Sequence, residues 1–172
     1  MEFKSIIHET ALWLVGMNFY GDPFSNASPW EEANAVGTLW GRFMNLWENA
    51  PEAIKEQRTP NQMAEIFFET GETEAKGVYE VFVGVIVHRI NEIPLSCVAK
   101  YLPANTYAVF TLRGAEITDD WLNRVVSEWL PTSGYRVAAN YSIQIYDQRF
   151  QGVDRIDVSE IDVYIPIQPC HE

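Results

Sequence analysis

Glu80 stands in the middle of an apolar run, residues 78–88, on the face it shares with Phe82, Gly84 and Ile86. A carboxylate in such a place must be paired, neutralised or turned toward a cavity. Beside aromatic rings it is suited to a cation. Each ring contributes roughly 0.5–2 kcal/mol through its quadrupole, and the carboxylate adds charge pairing in a low dielectric. The bland alternative is a solvated strand face with Phe82 covered by a neighbour. Gln144 and Tyr146 alternate with Ile143 and Ile145, and Tyr164 alternates with Val163 and Ile165. Polar-tipped side chains opposite an aliphatic face can line a pocket, or can simply meet solvent. Trp40 and Trp129 sit on the apolar stripes of two expected helices. Core packing is their ordinary role, but their matching places make a shared central cavity conceivable.

Other chemistry is sparse. There is no G-x-S-x-G, no phosphate-binding glycine loop and no H-E-x-x-H. His8, His88 and His171 are scattered, and Cys97 and Cys170 are isolated thiols. No metal site and no cofactor are expected. Two cysteines do not require a disulfide, and a reducing, cytoplasmic setting is the default.

Elements must position these residues. Residues 10–21 form an apolar, partly alternating run ending in Gly21, which predicts a strand. Ser28-Pro29-Trp30-Glu31 is a helix start, with a cap, a proline at the first position and an acid to complete the box. Val36, Leu39, Trp40, Phe43 and Trp47 follow at helical spacing. Thr59-Pro60-Asn61-Gln62 repeats the start signal and predicts a short helix over 63–69, then a turn at Gly71–Glu74. Strands are expected over 78–88, 95–101 and 105–114. Thr118-Asp119-Asp120 opens a second long helix. Its stripe is Leu122, Val125, Val126 and Trp129, and Pro131 ends it. Strands follow over 141–150 and 160–167.

The order is strand, helix, strands, and then the same again. Both halves open on a strand ending in glycine, Gly21 and Gly114. This predicts an α+β fold in one domain, residues 1–172, built of two β-α-β-β repeats at about 5–90 and 95–167.

The ordered segments Tyr107-Ala108-Val109-Phe110, Arg113-Gly114, Glu128-Trp129-Leu130-Pro131, Ser133-Gly134-Tyr135, Ile145-Tyr146-Asp147 and the final Tyr164-Ile165-Pro166-Ile167 strand resemble the gyrase-inhibitor-like (GyrI-like) superfamily. That superfamily includes effector-binding domains attached to AraC-type and MerR-type transcription regulators. The first half matches more loosely, through Leu14-Val15-Gly16, Leu39-Trp40-Gly41-Arg42-Phe43 and residues 79–87. The resemblance implies two helices across a curved antiparallel sheet in pseudo-twofold array, with a ligand cleft between the halves. It also implies binding of lipophilic cations through aromatics and a buried Glu, two residues before the tyrosine that matches Tyr146. Here that position is Gln144, which can orient a ligand but cannot supply charge. Glu80 is the expected replacement, and Tyr107, Trp129, Tyr146 and Tyr164 match positions near the cleft.

Composition bounds the function. With 24 Asp and Glu against 12 Lys and Arg, the net charge is -12. Nucleic-acid binding needs a basic face to displace phosphate counterions, so direct contact with DNA is not expected. No signal peptide is evident, and no apolar run reaches the eighteen or so residues of a membrane span. The expected role is a stand-alone binding module for amphipathic, cationic compounds, with no DNA-binding segment of its own and any regulatory role passing through a separate partner protein. Nothing local demands an enzyme. The alternatives are a hydrolase using Glu80 as general base in the same cleft, or a gyrase-inhibitor-like protein-interaction role.

Overall fold

The computed structural model describes residues 1–25 and 34–170. The helix start expected at Ser28-Pro29-Trp30-Glu31 lies outside the described residues, as does His171. The first strands are β1 (Glu2–Glu9) and β2 (Leu12–Gly21), followed by helix α1 (Ala35–Glu48). One short helix, α2 (Glu52–Lys55), leads into β3 (Arg58–Glu69), and another, α3 (Thr73–Lys76), leads into β4 (Tyr79–Val87). The second half has β5 (Val98–Leu102), β6 (Asn105–Arg113), α4 (Trp121–Arg124), α5 (Leu130–Ser133), β7 (Tyr135–Val137), β8 (Tyr141–Tyr146) and β9 (Glu160–Pro169).

All strands join one nine-stranded antiparallel sheet in the order β1-β6-β9-β8-β3-β4-β2-β5, with β7 paired to β9 off that path. The order is symmetric about its centre. Outward from β3 come β4 and β2, and outward from β8 come β9 and β6. The outermost strands are exchanged, β5 closing the first half and β1 the second. Register makes the symmetry residue-specific. Met17, Val83, Glu65, Gln144, Val163 and Phe110 are successive cross-strand partners in one row. Glu65 and Gln144 occupy the centre of that row. The fold is thus α+β with two pseudo-symmetric repeats, the arrangement that the pattern of elements predicts.

The short helix expected over 63–69 is a strand. Residues 63–69 form no helix; they belong to β3, paired with β4 and β8. Thr59-Pro60 imitates a helix cap, but the next residues alternate. Ala64, Ile66 and Phe68 join one apolar cluster, while Met63, Glu65 and Phe67 point to the opposite side. A central strand between two partners overrides a weak local preference.

The helices cover one face of the sheet. Asn34 caps α1, its side chain accepting from the Gly37 N–H at 2.8 Å. Val36, Leu39, Phe43 and Trp47 are buried from α1, and the last three pack on Val15, Met17, Val83, Val85 and Val87. A second stripe, Gly37, Trp40, Gly41 and Met44, runs beside it at i, i+3, i+4, i+7 and looks toward the other half. Asp120 caps α4. Helix α4 continues into a wider turn, Val125–Trp129, where the Leu130 N–H bonds back to the Val125 carbonyl, and then into α5. This five-residue step lets the chain pass Pro131, which has no N–H to donate. Pro131 therefore does not end the helical stretch; Gly134 does, at φ 78°. Val126 is exposed and leaves the expected apolar stripe.

The opposite sheet face closes on itself. Leu14, Ala64, Ile66, Phe82, Tyr107, Val109, Ile143 and Ile145 form a core made of strand residues alone. Gly16 and Gly84 face each other across β2 and β4 and make room for the Phe82 ring. No described helix is long and apolar enough to cross a membrane.

Candidate functional site

A cleft of about 990 Å³ opens over the centre of the sheet, between α1 and the start of α4. Its floor is the β3–β8 pair, which contributes Met63, Glu65 and Phe67 from one strand and Ser142, Gln144 and Tyr146 from the other. Period-two alternation puts exactly these residues on the helix side, because register pairs Met63 with Tyr146, Glu65 with Gln144, and Phe67 with Ser142.

Glu65 is the central group. It is 6% exposed. The Trp40 indole Nε1 donates to its Oε2 at 2.6 Å, and the Gln144 Nε2 donates to its Oε1 at 2.9 Å. Both oxygens accept, an arrangement that suits an ionised carboxylate. Both donors are neutral. Burial pushes the carboxyl pKa up to about 7, and the two hydrogen bonds only partly oppose that rise. The Tyr146 hydroxyl donates to the Gln144 Oε1 at 3.4 Å, extending the network along the floor. Burial, and then the neighbouring Glu65 charge, hold the Tyr146 phenol well above its ordinary pKa, so it stays a neutral donor.

Two aromatic groups flank the carboxylate. On one side Trp40 meets Tyr146 edge to face at 5.6 Å, and Tyr146 meets Phe150 in the same way at 4.9 Å. On the other, Phe67 stacks on Phe24 at 6.2 Å and meets Tyr79 edge to face at 5.6 Å. Trp121 and Leu122 enter from α4, and Asp119 and Asp120 lie beside them. The described lining contains three carboxylates, Glu65, Asp119 and Asp120, and no Lys, Arg or His. A groove of about 840 Å³ on the other flank of α1 has the opposite character, with Arg42 and no carboxylate among its described lining.

Of the residues singled out from sequence, the structure brings Trp40, Gln144 and Tyr146 together in this cleft. The other five lie elsewhere. Glu80 corrects the strongest expectation. Its carboxylate pairs with Lys100 and accepts from the Asn18 amide at 2.8 Å, on the sheet face away from the helices. It is already neutralised by a protein cation, itself 4.2 Å over the Phe68 ring. Phe82 is fully buried in the core of that same face. Tyr107 is buried there too, its hydroxyl 2.8 Å from that of Tyr141, with the Tyr164 ring at 6.0 Å. The odd and even positions of β4 part these residues from the cleft, for Val83, not Glu80 or Phe82, is the partner of Glu65. Trp129 faces the sheet edge, stacked on Phe3 at 5.3 Å and edge-on to Phe110 at 5.3 Å. It is not the counterpart of Trp40 in the cleft.

Sequence reasoning does not reach Glu65, Met63 and Phe67, because the pattern over 63–69 predicts a helix where the chain forms a strand. The signal was present in the recurrence of Glu65-Ile66-Phe67 as Gln144-Ile145-Tyr146, two acid-or-amide, isoleucine, aromatic triplets in equivalent strands.

The cleft lies over the central strand pair of a sheet built from two pseudo-symmetric repeats. The chain belongs to the family of integron-associated effector binding proteins (Cass2), which it matches over residues 5–167. It is 28% identical over 165 residues to the transcriptional regulator BrlR of Pseudomonas aeruginosa. That match takes in 94% of this chain and 54% of the regulator, so the chain spans about half the length of this relative. Among solved structures it is similar in fold to SAV2435 bound to tetraphenylphosphonium, with a TM-score of 0.62 and 12% identity over 98% of this chain and 94% of that one. The integron cassette protein VCH_CASS2 of Vibrio cholerae has a TM-score of 0.61 and 12% identity, covering 97% and 98% of the two chains.

Proposed function

We propose that the cleft binds an amphipathic organic cation, with Glu65 as its counter-charge and the flanking rings as its walls. The observation that carries this reading is the state of Glu65. It is a buried carboxylate held by two neutral donors, in a lining whose described residues include no basic group. Keeping such a charge in a low dielectric is costly without a cation nearby. A positively charged ligand would supply the missing partner, while Trp40, Tyr146, Phe67 and Phe150 would offer ring faces and apolar area. The lipophilic cation held by the structurally similar SAV2435 supports the same chemistry. The likeness to a transcriptional regulator supports an effector role, in which occupancy of the cleft is passed on to a regulatory partner or segment.

The test is a titration of intrinsic tryptophan fluorescence with tetraphenylphosphonium and with neutral triphenylphosphine oxide. Trp40 and Trp121 line the cleft and report occupancy. Saturable quenching by the cation, stronger than by the neutral compound, is the expected result. Equal responses to the two, or none to the cation, would reject the reading.

A further inference from the structure

Glu65 and Gln144 face each other as cross-strand partners at the centre of the sheet. Their outward neighbours correspond step by step: Val83 then Met17 on one side, Val163 then Phe110 on the other. We infer that the negative charge of the cleft belongs to this acid–amide pair and not to one half of the protein, so that either position can carry the carboxylate provided the other carries the amide. This inference rests on the reading of the cleft as a cation site and deepens it, since it says what fixes the ligand charge at that floor.

The hydrogen bonds are what make the exchange work. At present the Trp40 N–H and the Gln144 amide N–H fill the two Glu65 oxygens, and the Gln144 carbonyl oxygen accepts from the Tyr146 hydroxyl. Exchange the two side chains, which are of equal length. A glutamine at 65 accepts from Trp40 through its carbonyl oxygen and donates its amide to the acid at 144. The acid at 144 then accepts from that amide and from the Tyr146 hydroxyl. Every donor keeps an acceptor, and the carboxylate again receives two neutral donors. Charge count, volume and burial are unchanged. The carboxylate merely moves one strand across the pseudo-twofold axis, within the same row of the sheet and the same cleft.

The experiment compares the wild type with Glu65→Gln and the double exchange Glu65→Gln/Gln144→Glu. Each is titrated at pH 8 with tetraphenylphosphonium and triphenylphosphine oxide, with thermal melting as the control for folding. Glu65→Gln should bind the phosphonium at least about tenfold more weakly, and the double exchange should recover to within about threefold of the wild type. The neutral oxide should change less than about twofold throughout. A folded double exchange that binds the phosphonium as poorly as Glu65→Gln would overturn the inference and leave the cation reading standing. If Glu65→Gln loses nothing, the cation reading itself falls, and the inference with it. A double exchange that fails to fold would also overturn the inference, because the exchange keeps volume, charge and every hydrogen-bond partner.

Discussion

Trp40 reaches down from α1 to donate its indole N–H to Glu65 at 2.6 Å, while the same ring system packs edge to face with Tyr146, ring centroids 5.6 Å apart. One side chain therefore ties a helix to the sheet, orients the cleft carboxylate and forms part of the cleft wall. In Trp40→Phe the wall would survive and the donor would be lost. That hydrogen bond holds the Glu65 pKa down, so its removal should raise the pKa further. Cation binding should weaken, and its pH midpoint should rise by up to about one unit. Titrations at several pH values check this, and an unchanged midpoint would show that the donor does not tune the acid.

The pH dependence of the wild type follows from the same group. Glu65 has a folded-state pKa of about 7, above its ordinary value of 4.5. Below that value the carboxyl is neutral and offers a cation no counter-charge. Affinity for tetraphenylphosphonium should rise about tenfold from pH 6 to pH 8 and level off above, while a neutral ligand shows a flat profile.

Stability should run the other way. Because the folded pKa is raised, the folded state holds its proton more tightly, so its stability falls as pH climbs from 4.5 through 7. Above pH 7 the buried charge costs roughly 3 kcal/mol relative to an acid with an ordinary pKa. Glu65→Gln should therefore melt higher than the wild type at pH 8 and close to it at pH 4, by differential scanning calorimetry. A loss of stability at pH 8 would show that the carboxylate is not strained in the folded state.

Glu80 supplies a contrast. It is about one-third exposed and paired with Lys100. A surface pair of this kind contributes about 0–1 kcal/mol. Glu80→Gln should shift the denaturant midpoint only slightly and leave phosphonium affinity within about twofold, whereas a tenfold loss of cation binding would place Glu80, not Glu65, in the ligand's path.

Gly16 tests the packing beneath. A Cβ on Gly16 would stand 2.0 Å from the Val83 carbonyl oxygen and 2.7 Å from the Phe82 ring. Backbone on a paired strand cannot yield cheaply, so Gly16→Ala should cost roughly 1–3 kcal/mol or more, read from its thermal midpoint. A variant as stable as the wild type would show that β2 and β4 can move apart.

Much of this fold was legible in the chain. Valine-rich alternation marked β4, the helical spacing of Leu39, Phe43 and Trp47 marked α1, and the paired glycines 21 and 114 marked the repeat. The site was legible only in part, for a reason that lies in β3. A buried central strand needs few β-branched residues when its neighbours supply the ladder, and Met63-Ala64-Glu65-Ile66 reads locally as helix. A helix there hides the one carboxylate on the cleft floor and leaves Glu80 as the acid that stands out. Local pattern also could not separate Trp40 from Trp129. Both lie on apolar stripes, and only the exchange of β1 into the second half, which brings Phe3 against Trp129, decides which of them is used up in packing.

The most direct measurement is the affinity of wild-type protein and Glu65→Gln for tetraphenylphosphonium at pH 8, beside neutral triphenylphosphine oxide as a reference. If Glu65 is the counter-charge, the substitution weakens the cation at least about tenfold and the neutral compound hardly at all. Equal, small changes for both ligands would contradict a charge-reading cleft.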